Sequence, residues 1–205
     1  MTAALPQAVL DAADTSAITQ LVLRERDARD LGKWDVMRDS FHPDSLIRIS
    51  WFRGNGADFV KGSIDMAKRG VLATHRLAPI GVTLNGDRAL AWLTAIIDIP
   101  VGIGGVDAML SNIARFLYRA ERRDGAWRLA GFDAVYRRDE LTPRVPGQIL
   151  KIDPAALQGY RPSYRLLSYC LAQQGYQIDG NLPGEDRPDL VDALTRELEG
   201  WAGIG

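Results

Sequence analysis

The sequence predicts an α+β domain in which helices cover one face of an antiparallel sheet. Three observations carry this prediction. Apolar residues recur at helical spacing over the first 70 residues, the pattern then changes to long apolar strands, and glycine turns at Asn85-Gly86 and Asp124-Gly125 separate those strands. Helices followed by hairpin-connected strands are typical of this class, because each kind of element needs an apolar face to pack against.

Three helices are predicted before the sheet. The first has a capping residue at positions 15–16 and ends near Gly32, where glycine suits the conformation that closes a helix. Its apolar face carries one acidic residue, Glu25. A short helix over residues 33–40 and a third helix over residues 57–69 follow, each with apolar positions at helical spacing.

The strands follow in the order expected of a meander. A first strand is predicted at residues 46–51, between the second and third helices. After the third helix, strands are predicted at residues 74–84, 89–101, 106–122 and 127–137. The Asn-Gly and Asp-Gly dipeptides between them favour tight hairpins, so neighbouring strands are expected to be antiparallel.

The composition changes after residue 140, where several prolines predict an extended linker over the surface. Two amphipathic helices are predicted beyond it, at residues 163–174 and 187–201, the second capped by Asp186. Roughly sixty residues of this kind make a poor core alone. We therefore expect an α+β domain at residues 14–140 and an extension at 141–205 docked on that domain or on a partner subunit.

Composition excludes several classes of function. The net charge of −1 lacks the basic excess that nucleic-acid binding requires, and no apolar run approaches the ~20 residues of a membrane span. Residues 1–16 have no basic leader, and a proline and two aspartates break their apolar run. The single cysteine, Cys170, excludes an internal disulfide. A cytoplasmic protein that binds neither nucleic acid nor membrane is expected.

Five short motifs stand in a fixed order along this pattern of elements: Asp30-Leu-Gly-Lys-Trp34-Asp35, Phe41-His-Pro-Asp44, Thr74-His75, Asn85-Gly-Asp-Arg-Ala89 and Asp124-Gly-Ala-Trp127-Arg128. Over residues 14–138 the chain resembles the SnoaL-like branch of the nuclear transport factor 2-like superfamily. The resemblance implies a cystatin-like α+β barrel, in which a curved, mostly antiparallel sheet wraps the N-terminal helices into a cone with a pocket at its open end. Because the superfamily includes both enzymes and non-catalytic modules, the fold alone leaves the function open.

The resemblance implies a catalytic pair. Scytalone dehydratase and a hexachlorocyclohexane dehydrochlorinase of this superfamily pair an aspartate and a histidine at the positions that Asp30 and His75 occupy here. A carboxylate beside an imidazole fixes its tautomer and leaves the second ring nitrogen free to take a proton. The second histidine of scytalone dehydratase is replaced here by the region of Pro100 and Val101. From the residues alone, a surface Asp30 and a backbone-bonded His75 remain an alternative.

Further residues are candidates for contact with a ligand: the aromatic Trp51, Phe52, Trp92, Phe116 and Phe132, and the polar Asp98 and Arg115. Each has a plain structural alternative. The aromatic side chains suit core packing, Asp98 suits exposure near a strand end, and Arg115 suits an ion pair or an exposed strand face.

The expected function is that of a small lyase or isomerase that needs no cofactor and acts on a hydrophobic carbonyl compound, with His75 as general base and Asp30 as its partner. No metal site is predicted, because two histidines and one cysteine do not stand at metal-ligand spacing, and His42 is expected to be structural. The alternatives are a non-catalytic binding module and an assembly subunit similar to the beta chain of ring-hydroxylating dioxygenases. The resemblance also implies a homodimer formed through the outer face of the sheet.

Overall fold

The computed structural model describes residues 5–204. Residues 1–4, which belong to the segment predicted to lack a signal peptide, lie outside this range, as does residue 205. The helices are α1 (Gln7–Asp30), α2 (Trp34–Asp39), α3 (Gly56–Lys68), α4 (Arg165–Gln173) and α5 (Pro188–Ala202). The strands are β1 (Phe41–Ile49), β2 (Phe52–Gly54), β3 (Thr74–Leu77), β4 (Gly81–Asn85), β5 (Arg88–Ile103), β6 (Val106–Arg123) and β7 (Ala126–Pro143).

The strands form one curved sheet in the order β2-β1-β7-β6-β5-β3, with β4 also paired to β5. All pairs are antiparallel except β1 with β7, which is parallel. Helices α1, α3 and α4 bury their apolar sides in one core with the sheet. The predicted α+β class is therefore confirmed, with the N-terminal helices packed against a sheet that does not close on itself.

Helix α1 is the longest helix and crosses the inside of the curved sheet. It buries Ile18, Leu21 and Val22 there. Near its start, the Asp14 carboxylate accepts hydrogen bonds from Arg122 and from the Trp127 indole, which joins the helix to β6 and β7. The predicted start at residues 15–16 was wrong, because α1 begins at Gln7. The preceding segment is rich in alanine, the residue with the highest helix propensity, and it adds an exposed extension to the helix.

Two strand predictions also need correction. The single strand predicted at residues 74–84 is divided into β3 and β4 around Pro79, which has no N–H to donate to a strand ladder. Both pieces pair with β5. The first strand begins at Phe41 and ends at Ile49, with a shift in its register against β7 between Phe41 and Leu46. That irregularity includes Pro43, which has no N–H to donate to a strand ladder.

The two C-terminal helices pack on opposite faces of the sheet. Helix α4 adds Leu167, Cys170 and Leu171 to the main core, and the Asp139 carboxylate of β7 accepts hydrogen bonds from the first backbone N–H groups of this helix, including that of Leu166 at 2.7 Å. Helix α5 lies on the outer face, where Leu194 and Leu198 pack against Val135 and their neighbours. The division of the chain into domains at residue 140 stays a prediction.

The predicted cap of α5 was wrong. Asp186 bonds instead to Arg161 and Ser163, and no side chain caps the first turn of α5.

None of the helices between residues 5 and 204 combines the length and the apolar character that a membrane crossing requires.

A charged network lies under α5 on the outer face. The buried Asp133 carboxylate bonds to Arg48 at 2.5 Å and to Arg119 at 3.2 Å, and Glu197 of α5 contacts both arginines. Gly131 is required beside this network, because a Cβ atom there would lie 2.4 Å from Arg119 Nε. The network therefore joins α5 to the sheet through charge as well as through apolar contact.

We expect the Asp133→Asn variant to lose about 3 kcal/mol of unfolding free energy, because removal of one partner leaves buried charge without compensation. This is the low end of the usual range for a buried pair, since Glu197 still contacts both arginines. Urea unfolding would measure the loss. The control is Asp44→Asn, whose carboxylate is 66% exposed beside Arg123 and should contribute at most about 1 kcal/mol. Equal losses in the two variants would contradict the prediction.

Candidate functional site

A cavity of about 40 Å³ lies between α1, α3, the inner face of the sheet and α4. Its apolar lining consists of Ile49, Trp51, Phe59, Met66, Ala73, Ile97, Ile99, Phe116, Phe132, Leu167 and Leu171. The polar residues that reach it are Arg26, Arg29, Ser50, His75 and Tyr136. A mostly apolar lining with a few polar groups is the usual composition of a small-molecule site.

Asp30 and His75 meet at one edge of this cavity. Asp30 is the last residue of α1, and its Oδ1 lies 2.6 Å from His75 Nδ1. Its Oδ2 accepts a second hydrogen bond, of 2.7 Å, from the backbone N–H of His75. The two bonds fix the start of β3 against the end of α1 and hold the imidazole ring in one orientation. His75 lines the cavity, with its side chain only 5% exposed, while Asp30 lies behind it.

The pair is expected to be an aspartate ion beside a neutral imidazole. Burial lowers the pKa of His75 from 6.5 to about 4, and the positive charge of Arg26 and Arg29 acts in the same direction against the favourable contact with Asp30. For Asp30, burial alone would raise the pKa, but the hydrogen bonds from His75 outweigh it and lower the pKa. With Nδ1–H donated to Asp30, Nε2 carries a lone pair and can accept a proton.

This arrangement makes stability depend on pH. Because the pKa of His75 is lower in the folded protein, the unfolded chain binds more protons between pH 6.5 and about 4. The stabilisation that comes from neutral His75 is complete above pH 6.5 and is lost as the pH falls toward 4. The lowered pKa of Asp30 changes the stability only below about pH 3.8. We expect His75 to contribute a fall of about 2 kcal/mol in the unfolding free energy between pH 7 and pH 5. Burial raises the pKa of Asp139 to about 6, which acts in the opposite direction over this range in every variant that keeps Asp139. Urea unfolding of the wild type and of His75→Asn would test this, since the difference between their unfolding free energies should shrink by about that amount.

Two arginines of α1 reach the cavity from the helix that carries Asp30. Arg26 forms a buried ion pair with Glu25, and its guanidinium lies 5.0 Å from the centre of the Phe132 ring. Burial alone would lower the pKa of Arg26, but the charge of Glu25 outweighs it and raises the pKa. Burial and the neighbouring Arg26 lower the pKa of Arg29 to about 10.

Sequence reasoning missed both arginines, although a signal was present. The apolar stripe of α1 runs through Ile18 and Val22 to Glu25, and the same spacing continues to Arg29. Charged residues on the buried stripe of a helix are costly, so they indicate either an internal ion pair or a ligand.

The aromatic candidates are divided between the cavity and its surroundings. Trp51, Phe116 and Phe132 line the cavity, and the Phe116 ring lies 5.9 Å from the imidazole of His75. Phe52 does not reach the lining; it packs on Trp51 and on Phe59 at 5.3 Å. Its role is to support the wall formed by those two rings.

The structure places the candidate residues Trp92, Asp98 and Arg115 on the outer face of the sheet, away from the cavity that His75 lines. Side chains alternate between the two faces along a strand, and Ile97 and Ile99 point into the cavity on either side of Asp98. Asp98 bonds to Arg76 at 2.6 Å and to Ser111. Arg115 lies over the Trp92 ring at 5.2 Å, beside α5.

His42 has a structural contact, as expected. It is buried, and its Nε2 lies 3.0 Å from the Glu121 carbonyl oxygen. Within residues 5–204, no three histidine, cysteine, aspartate or glutamate side chains come together in a way that could hold a metal ion.

Comparison with known proteins identifies the family. The model of the SnoaL-like domain matches residues 11–133, more than half of the chain. The chain belongs to the SnoaL-like family. An uncharacterized protein of Emericella nidulans is 30% identical to this SnoaL-like protein over 188 residues, which cover 84% of this chain and 79% of the relative.

Solved structures show the same fold. An NTF2-like protein with a cystatin-like fold from Novosphingobium aromaticivorans has a TM-score of 0.52 and 19% identity, and the match covers 62% of this chain and 85% of that one. A hexachlorocyclohexane dehydrochlorinase has a TM-score of 0.53 and 18% identity, and the match covers 70% of this SnoaL-like chain and 96% of the dehydrochlorinase. The predicted cystatin-like fold is therefore confirmed.

Proposed function

We propose that this SnoaL-like protein is a lyase or isomerase that removes a proton from a carbon next to a carbonyl group, with His75 as general base. The observation that carries the proposal is the 2.6 Å contact between His75 Nδ1 and Asp30 at the edge of a mostly apolar cavity. This contact engages Nδ1 and leaves Nε2 as the ring nitrogen that can accept a proton. A hydrophobic carbonyl compound suits the lining.

The chemical step uses only the groups of this pair and the substrate. Nε2 of His75 takes the proton, the C–H bond breaks, and its electron pair moves into the carbonyl group to give an enolate. Asp30 stabilises the imidazolium that forms, because its carboxylate stays hydrogen-bonded to Nδ1–H. The enolate then either expels a leaving group on the next carbon, which is an elimination, or takes the proton back at another carbon, which is an isomerisation.

The similarity to a hexachlorocyclohexane dehydrochlorinase supports a reaction of this class, since loss of hydrogen chloride begins with removal of a proton from carbon. We also propose a cytoplasmic location and a homodimer formed through the outer face of the sheet. Because α5 packs on that face, the helix would form part of such an interface.

Exchange of hydrogen for deuterium tests the proposal without knowledge of the natural substrate. Small cyclic and aromatic ketones would be screened for binding by the rise they cause in Tm. Each ketone that binds would then be followed in D₂O by proton NMR. We expect loss of the signal from the carbon next to the carbonyl with the wild type, and exchange about 10²- to 10⁴-fold slower with His75→Asn. Ketones that bind without any exchange would contradict the proposal.

A second candidate function, a binding module without turnover, is supported by the pKa of about 4 for His75. A base works best when its pKa lies near the working pH, so this histidine is a weak base in the empty cavity. The same experiment separates the two functions. A binding module gives the rise in Tm with no exchange, and His75→Asn leaves both readings unchanged.

A further inference from the structure

Arg29 stands apart from the other charged groups of the cavity because no oxygen of the described residues pairs with its guanidinium. Arg29 is 8% exposed and lines the cavity. Within the described residues, its guanidinium donates a hydrogen bond to the Met66 sulfur, at 3.5 Å. A thioether is a weak acceptor, so it does not compensate for a buried positive charge.

The neighbouring acidic groups are already engaged. Glu25 forms its ion pair with Arg26, the residue before Arg29 on the inner side of the helix. Both oxygens of Asp30 accept hydrogen bonds from His75. Arg29 therefore brings a positive charge and further N–H donors to the cavity that it lines, and the local acids do not bond to it.

Packing alone does not explain an arginine at this position. Most side chains that line the cavity with Arg29, including Met66, Ala73 and Leu171, are apolar and are compatible with a methionine or leucine at this position. A buried cation without a bonded anion lowers stability, whereas an apolar residue of similar size often raises it. Proteins keep such groups where binding or catalysis uses them.

We infer that Arg29 binds an oxygen of the ligand that is negatively charged or becomes so during the reaction. The inference rests on the proposed function and narrows the substrate class. The substrate would be a compound whose carbonyl oxygen extends toward Arg29 while the neighbouring carbon, which carries the acidic C–H, faces His75. In a mostly apolar cavity, a guanidinium stabilises an enolate oxygen far more than it stabilises a neutral carbonyl. Arg29 and His75 thus act on the two ends of the same group.

The test uses 4-nitrophenol as a probe, because its phenolate resembles an enolate oxygen and absorbs at a different wavelength from the phenol. The wild type is expected to bind it as the phenolate. We expect Arg29→Met to bind about 10- to 100-fold more weakly, as for loss of a hydrogen bond to a charged group. Arg29→Lys should retain part of the affinity, because it keeps the charge. The matched control is Arg196→Met, because Arg196 is an exposed residue of α5. This replacement should leave phenolate binding unchanged.

Stability gives a second reading that a purely structural arginine would not produce. Without ligand, Arg29→Met is expected to have a Tm equal to or above that of the wild type, and at the same concentration the phenolate should raise Tm less in this variant than in the wild type. A large loss of Tm in the empty Arg29→Met protein would overturn the inference, as would equal phenolate affinity in the wild type and this variant. Failure of the wild type to bind the phenolate would also overturn it.

His75→Asn distinguishes this inference from the proposed function. That variant should keep the affinity for phenolate and lose the exchange of deuterium into ketones. If His75→Asn exchanges at the wild-type rate while Arg29→Met loses the phenolate, the anion site stands and the general base is wrong. If Arg29→Met binds the phenolate normally while His75→Asn loses exchange, the general base stands and the role of Arg29 is wrong.

Discussion

The Asp30→Asn variant is expected to lose deuterium exchange by about 10²- to 10⁴-fold, nearly as much as removal of the imidazole itself. The amide can still accept the hydrogen bond from the His75 backbone N–H through its oxygen. Its NH₂ group then faces Nδ1, so Nδ1 must become an acceptor and the ring proton moves to Nε2. The nitrogen that faces the substrate would carry a proton and could no longer accept one.

The control for this variant is Asp35→Asn, which removes the same charge from a carboxylate that is 90% exposed on α2. Its exchange rate should equal that of the wild type. Full exchange by Asp30→Asn would show that the carboxylate does not set the tautomer of His75, and the proposed division of roles would be wrong. NMR of the ring nitrogens would report the tautomer directly in both variants.

The second large effect is expected at Leu171, which α4 places both in the core and in the cavity wall. The residue is 2% exposed, so Leu171→Ala should lower the unfolding free energy by about 2–5 kcal/mol. The lost volume would adjoin the existing cavity of about 40 Å³. We therefore also expect the variant to bind larger ketones than the wild type, with a greater rise in Tm for a bicyclic than for a monocyclic compound.

Leu72→Ala is the control, because Leu72 is 61% exposed and its replacement should change stability by no more than about 0.5 kcal/mol. Urea unfolding measures both variants. A loss below 1 kcal/mol at Leu171, or the same preference for ligand size as in the wild type, would show that α4 does not limit the cavity.

Most of the fold could be predicted because the sequence repeats the signal for each element. The hairpins at Asn85-Gly86 and Asp124-Gly125 join four strands, β4 to β5 and β6 to β7, and the periodicity of α3, α4 and α5 gives those helices within a few residues. The errors have local causes. The first turns of α1 are rich in alanine and have no buried face, so apolar periodicity could not indicate where the helix starts. The break between β3 and β4 is caused by Pro79.

The site was harder to predict because β5 is apolar on both faces. Its inner positions pack on α1 and its outer positions pack on α5, so alternation could not show that Trp92 and Asp98 point outward. The contact of Asp30 with His75 came from the resemblance, since 45 residues separate them and helical phase places Asp30 only at the edge of the apolar face. The helical spacing that continues from Glu25 to Arg29 indicates that Arg29 lies on the buried face of α1, and this signal was not used in the prediction of the site.

The wall that α4 provides has a consequence for synthesis of the chain on the ribosome. The sheet is complete at Pro143, but Leu167 and Leu171 belong to a segment that is translated later. At roughly 5–20 residues per second, synthesis of residues 144–171 takes about 1–6 s. During that interval the nascent cone exposes its apolar interior, so chaperones that hold hydrophobic surfaces would meet this protein at the mouth of its cavity.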